Sequence, residues 1–155
     1  MRIGKFTYNC LGFMVVVALA GMPALTAHAA AEEIARPSNP GGPGPAATMN
    51  GNPKAGARIF AQNCMPCHVA AGKGGVPNPG SSDGTVPPLN PIDPTIASTN
   101  PKIFAYNVDL FIQHGSTPEG KHPAISMPAW GDDNMLSQQK ITDIIAYVIG
   151  LNTSK

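Results

Sequence analysis

The chain of 155 residues has few charged side chains, 12%, and a formal net charge of +1 at pH 7. Residues 1–29 hold two of the ten basic residues and none of the nine acidic ones, so the remainder carries 8 − 9 = −1. Because this remainder has no charge run and no basic face, nucleic acid is excluded as an expected partner. The near-neutral charge also predicts that association with protein partners depends weakly on salt.

The N-terminal segment has the three-part form of a secretory signal. Arg2 and Lys5 precede a hydrophobic run from about Leu11 to Leu25, and an A-x-A cleavage pattern follows. We expect residues 1–29 to be a signal peptide that directs export to a bacterial periplasm. An uncleaved anchor helix is the alternative, although the run is short for a membrane span. Cys10 belongs to this segment, so the exported chain keeps two cysteines.

The rest of the chain divides by composition at about residue 52. Residues 30–51 are rich in proline and glycine and have too little apolar area to offset the entropy of ordering them, so we predict a tether. Residues 52–155 are enough for one small domain, but their own apolar core is marginal. A buried prosthetic group would supply much of the missing interior.

Two helices are predicted from their start and stop signals. A helix over residues 53–63 begins with an asparagine N-cap and a proline at its first position. The same Asn-Pro signal begins a helix over residues 101–114, and a glycine follows its last residue. The broad apolar face of this second helix suits a position between the core and a cofactor.

A third helix is predicted after Ser137, a plausible N-cap. Its apolar residues follow the spacing i, i+3, i+4, i+7, i+8 and are Ile141, Ile144, Ile145, Val148 and Ile149. We expect this face to pack across Gly56 and Phe60 of the first helix, which would close the domain. No strand pairing is predicted.

The segment Cys64-Met65-Pro66-Cys67-His68 carries the most specific chemistry. Thiols three residues apart point the same way on one helical turn, so both sulfurs can reach the vinyl groups at one edge of a porphyrin. The imidazole of His68 then lies under the iron and can bind it. The spacing is the attachment pattern for one covalently bound haem c.

A redox disulfide or half of a metal site is the alternative interpretation of Cys64 and Cys67. A thioredoxin-like pair follows a strand and opens a helix, whereas here a helix precedes the pair. A structural zinc site needs four ligands, and the chain has no second cysteine pair. No phosphate loop, paired carboxylates or catalytic triad indicates an enzyme.

Three features in this order resemble the class I monohaem c-type cytochromes: CMPCH after a helix with Gly56 and Phe60, ISMPAWG at residues 125–131, and Ile145-Ala146-Tyr147 in the last helix. The resemblance covers roughly residues 52–151. It implies an all-α cytochrome c fold, with about three to five short helices around one covalently bound haem. It also implies an axial histidine on one face of the iron and a methionine on the other.

Matched to the methionine loop of that family, Met127 is the sixth ligand, and Pro128 after it prevents a continued helix. Met135 is the rival thioether. A bis-histidine site that uses His114 or His122 is the chemically distinct alternative. Ligation by histidine and methionine raises the reduction potential and leaves no open position for oxygen or peroxide.

Two further residues are matched to the family. Pro88 resembles the proline whose carbonyl accepts the Nδ1 proton of the axial histidine, with an ordinary proline-rich turn as the alternative. Trp130 resembles the tryptophan that packs on the haem and directs its indole N–H to a propionate, with simple packing as the alternative. Residues 76–94 are longer and richer in proline than this part of compact family members.

The expected function is electron transport in a respiratory chain rather than catalysis. A periplasmic carrier would pass one electron from a dehydrogenase or membrane complex to an acceptor such as a terminal oxidase. One alternative is a fixed haem subunit of a larger membrane or dehydrogenase complex, held through a possible N-terminal membrane tether. Another is a haem sensor or peroxidase in which the Met127 bond is labile.

Overall fold

The regular structure of the domain is helical. The computed structural model describes residues 41–153, which contain helices α1 Pro53–Asn63, α2 Met65–His68, α3 Pro101–His114 and α4 Gln138–Thr153. Two 3₁₀ segments, Pro45–Thr48 and Ala70–Gly72, precede α1 and follow α2. The described residues form isolated β-bridges but no strand. The predicted all-α class is confirmed.

Part of the prediction concerns residues beyond this range. The predicted signal peptide, residues 1–29, lies outside the described residues, and so does the predicted tether up to residue 40. Among the described helices, none combines the length and the apolar character that crossing a membrane requires.

Asparagine caps and first-position prolines set the beginnings of α1 and α3, as predicted. The Asn52 side chain accepts hydrogen bonds from the N–H groups of Lys54 and Ala55 at 3.0 and 3.2 Å. The Asn100 side chain accepts the N–H of Lys102 at 3.0 Å. Proline follows each cap, at a position where no intrahelical hydrogen bond is lost.

Helices α1 and α4 make the most extensive contact between elements of the domain. Gly56 allows the close approach, because a Cβ atom there would overlap the carbonyl oxygen of Asp143. One turn further along α1, the Phe60 ring contacts the Tyr147 ring, with centroids 5.2 Å apart and planes at 58°. Helix α4 packs across Gly56 and Phe60 as predicted, with Asp143 and Tyr147 at these contacts instead of the isoleucines and valine of the predicted face.

Helix α3 packs on α4 and completes the core. The least exposed apolar side chains of the three long helices are Phe60, Phe104, Leu110, Ile141, Ile144 and Val148. Each helix therefore presents one face to a shared interior, and that interior borders the cavity described below.

The C-terminal end of the predicted tether packs on the domain, which composition did not predict. Ala46 is 1% exposed, and its carbonyl accepts a hydrogen bond from the Thr142 hydroxyl at 2.6 Å. His114 Nε2 lies 2.7 Å from the Gly42 carbonyl oxygen and Nδ1 lies 2.7 Å from the Asp132 carboxylate, so the protonated imidazole donates to both. This segment is ordered although it is poor in apolar residues, because side chains outside it supply the hydrogen-bond partners.

Candidate functional site

A cavity of about 680 Å³ lies between the helices and two loops. Its size falls within the usual range of cofactor sites, roughly 300–1,000 Å³. Apolar side chains from the three long helices form its inner wall, and these include Phe60, Val108, Ile112, Ile144 and Val148. Such a wall suits a large, flat, mostly apolar group.

The sequence motif borders this cavity through Cys64, Cys67 and His68. The motif forms a helical turn, because the N–H groups of Cys67 and His68 both donate to the Cys64 carbonyl, at 3.2 and 2.9 Å. Both sulfurs are free thiols. The structure thus brings two thiols and an imidazole to one edge of the cavity.

The electrostatics of Cys64 oppose a redox role. Burial, and then the neighbouring Cys67, raise the pKa of the Cys64 thiol to about 12. In thioredoxin-like pairs the pKa of the attacking cysteine is lowered instead, because only the thiolate reacts. Cys64 is therefore a partly buried thiol placed against a cavity and lacks the properties of a disulfide-exchange nucleophile.

His68 is held as a neutral imidazole. Burial lowers the pKa of His68, while the backbone carbonyl of Pro87 acts in the opposite direction. Nδ1 is buried and makes no hydrogen bond of good geometry. A neutral ring is the form that binds iron, so the local environment favours the protonation state that a ligand requires.

The carbonyl group that acts on His68 belongs to Pro87, whereas the sequence favoured Pro88. Both prolines line the cavity. The two carbonyls stand next to each other in one proline-rich turn, so the sequence alone could not distinguish them. A role for Pro88 itself stays a prediction.

Met127 lines the cavity and packs against the core from the loop between α3 and α4. Of the described methionines, only Met127 does so; Met49, Met65 and Met135 are 38, 40 and 52% exposed. Among the described histidines, His68 alone lines the cavity. The arrangement favours Met127 over Met135 and over a second histidine as partner of His68, although the ligand set itself stays a prediction.

Trp130 also lines the cavity and packs against the core. Its carbonyl accepts hydrogen bonds from the N–H groups of Met135 and Leu136, each at 3.0 Å. These bonds fold the chain into a compact turn between Met127 and α4. The predicted hydrogen bond from the indole to a propionate stays a prediction.

Sequence analysis missed one polar residue of the cavity, Asn78. It is 1% exposed, and both polar atoms of its side chain are bonded to the backbone of Ile125. In the sequence it is an asparagine between two prolines, which looks like any turn residue. No local pattern signals a contact across 47 positions.

A helical domain whose Cys-X-X-Cys-His turn borders a cavity of this size defines a c-type cytochrome. Residues 51–148 match the family described as cytochrome C oxidase, cbb3-type, subunit III, and the chain belongs to that family. The predicted relationship to monohaem c-type cytochromes and the cytochrome c fold are thereby confirmed. Neither the curated proteins nor the solved structures include a significant match to this chain.

Proposed function

We propose that the protein is a periplasmic single-electron carrier with one covalently bound haem c, whose iron has His68 and Met127 as axial ligands. The observation that carries the proposal is that these two side chains, from separate parts of the chain, line one apolar cavity. Cys64 and Cys67 line the same cavity.

The residues fit a haem on chemical grounds. Cys64 and Cys67 are one helical turn apart, which suits two thioether bonds to one porphyrin edge. Burial keeps the His68 imidazole neutral, so a ring nitrogen has a lone pair for iron. The inner wall offers apolar contact from all three long helices.

When bound, a haem supplies reversible one-electron chemistry at its iron. His68 and Met127 would both bind the iron, which would leave no site for oxygen or peroxide. The thioether also raises the reduction potential relative to two imidazoles. Such a site favours electron transfer over catalysis.

The coarse function, a haem-binding electron carrier, agrees with the family. The description of that family favours a second candidate function, that of a fixed subunit of a terminal oxidase or a related membrane complex. Native size-exclusion of solubilised membranes and of the soluble fraction separates the two. A free carrier elutes as a small monomer, whereas a subunit elutes with the complex.

Acid-acetone extraction of the exported protein tests the attachment. We expect the red pigment to stay with the chain in the wild type and to be lost in a Cys64→Ser/Cys67→Ser double variant. Met65→Ala is the matched control, because it changes an exposed side chain within the motif and should leave the pigment bound. A colourless wild-type protein, or one that releases its pigment to acid-acetone, would overturn the proposal.

A further inference from the structure

We propose that Asn78 is a positioning residue for Met127: it fixes the backbone two residues before the methionine and so holds the thioether on the iron. The inference rests on the proposed function, because it takes Met127 to be the axial ligand. Asn78 belongs to the loop on the histidine side of the cavity, which we call the histidine-side loop, residues 76–94. Ile125 belongs to the methionine loop, residues 116–131.

The contact between Asn78 and Ile125 is a two-way hydrogen bond. Asn78 Oδ1 accepts the Ile125 N–H at 2.7 Å, and Asn78 Nδ2 donates to the Ile125 carbonyl at 2.9 Å. The side chain thus satisfies both backbone groups of one residue, as a neighbouring strand would. Because donor and acceptor are matched on both sides, the amide has one favourable orientation.

The contact lies beside the cavity, with the Asn78 side chain buried and Ile125 partly buried. Asn78 is 1% exposed and, like Ile125, lines the cavity wall. A buried polar group without a partner costs more than an ordinary hydrogen bond contributes. Removal of the amide would therefore leave a donor and an acceptor of Ile125 unpaired, two positions from the proposed ligand.

The two loops are joined at further points around this contact. The Ala124 N–H donates to the Pro79 carbonyl at 2.9 Å, and the Ser82 N–H donates to the Glu119 carbonyl at 2.7 Å. The Asn78 contact differs from these two, because its hydrogen bonds come from a side chain and can be removed by a single substitution. Its Ser81 neighbour donates its hydroxyl to the Asn78 carbonyl and fixes the turn itself.

Movement of Met127 away from the iron requires the methionine loop to shift. The hydrogen bonds to Asn78 oppose that shift, so they lower the population of the state in which the thioether is released. An added ligand such as imidazole binds ferric iron only in this released state, and its apparent affinity follows the released fraction. The affinity therefore reports how firmly the loop is held.

The test compares Asn78→Ala with Asn107→Ala in the haem-loaded protein. Asn107 is a matched control, because it is also fully buried and donates to a backbone carbonyl, that of Ile96 at 2.9 Å, but does not line the cavity. We expect Asn78→Ala to raise the affinity of the ferric protein for imidazole about tenfold or more, equivalent to about 1.4 kcal/mol. The sulfur-to-iron charge-transfer absorption should weaken in parallel.

Asn107→Ala should lower thermal stability but keep the imidazole affinity of the wild type. Asn78→Ser, a smaller change that keeps one polar group, should fall between wild type and Asn78→Ala, and it serves if the alanine variant does not fold. Wild-type imidazole affinity in both Asn78 variants, or an equal increase in Asn107→Ala, would overturn the positioning role alone. A wild-type protein without the sulfur-to-iron absorption would instead overturn Met127 as the ligand, and this inference with it.

Discussion

Ser116 and Met127 exchange two backbone hydrogen bonds: the Met127 N–H donates to Ser116 at 2.8 Å, and the Ser116 N–H donates to Met127 at 3.1 Å. Ser116 lies just after α3, whereas Met127 brings its thioether to the cavity. The end of a packed helix therefore fixes the backbone of the proposed ligand. Residues 117–126 form a loop whose two ends are joined by this pair.

We expect Met127→Ala to open one axial position of the iron. The sulfur-to-iron absorption should disappear, the reduced protein should bind carbon monoxide at neutral pH, and the reduction potential should fall because the thioether is lost. Met135→Ala is the control, since Met135 is 52% exposed and lies outside the cavity wall. Strong binding of carbon monoxide by the wild type would favour the sensor or peroxidase interpretation instead.

Gly115 is expected to be sensitive to substitution, because it ends α3 with a φ of 69°. A Cβ atom there would also lie 2.8 Å from the Ala129 nitrogen, in the methionine loop. Gly115→Ala should lower the free energy of unfolding by about 2 kcal/mol or more, from backbone strain and overlap together. It should also increase carbon monoxide binding, because the overlap displaces the chain around Met127.

Gly75→Ala is the control for this change. Its φ is 84°, but no atom lies within 4 Å of the added Cβ. We expect a loss of stability from backbone strain and no change in carbon monoxide binding. Equal carbon monoxide binding by the two variants would show that Gly115 has no particular effect on the methionine loop.

Two glycines in helices should respond in opposite directions. Gly56→Ala places a methyl group against the carbonyl of Asp143 and should lower the free energy of unfolding by about 1–3 kcal/mol. Gly150→Ala, in α4, meets no atom within 4 Å and should raise it by up to about 1 kcal/mol through helix propensity. Chemical denaturation measures both; a neutral Gly56→Ala would contradict the close crossing of α1 and α4.

Asp109 and His114 should make thermal stability fall as the pH rises. Burial raises the pKa of the Asp109 carboxyl from 3.8 to about 6, although the Gly44 amide and His114 oppose this. The native state therefore holds more protons than the unfolded chain between about pH 4 and 6, so stability declines with rising pH in that window. The hydrogen bond to Asp132, more than that to Gly42, raises the pKa of His114.

His114 contributes its full stabilisation of the native state below its ordinary pKa of 6.5. This stabilisation is lost as the pH rises through the raised pKa of the folded protein. Thermal midpoints measured at a series of pH values should thus lose the Asp109 contribution between about pH 4 and 6 and the His114 contribution above pH 6.5. Asp109→Asn should flatten the acidic part of this fall, with a change of a few degrees. An equally steep profile in Asp109→Asn would contradict the assignment.

Local signals predicted the helices well, because these signals act within a few residues. The caps of α1 and α3 and the apolar period of α4 each depend on neighbours in the sequence. The predicted site residues Cys64, Cys67 and His68 form one turn, and the structure brings Met127 to the same cavity. The sequence patterns and the family resemblance were sufficient to predict the helices and to predict that these four residues lie together.

The parts that were missed depend on contacts between distant residues. Asp109 accepts the N–H of Gly44, and Asn78 pairs with Ile125, in each case across a long stretch of chain. Glycine, aspartate and asparagine at such places look like ordinary turn or surface residues in the sequence. Their roles arise from burial, which only the assembled fold determines.

The contact between Phe60 and Tyr147 has a consequence for the order of events during synthesis. Helix α4 is synthesised after α1, so α1 exists for a time without the helix that packs on it. During that interval an enzyme that acts on Cys64 and Cys67 would meet an open, unfinished chain. Closure by α4 would then seal in whatever had been attached.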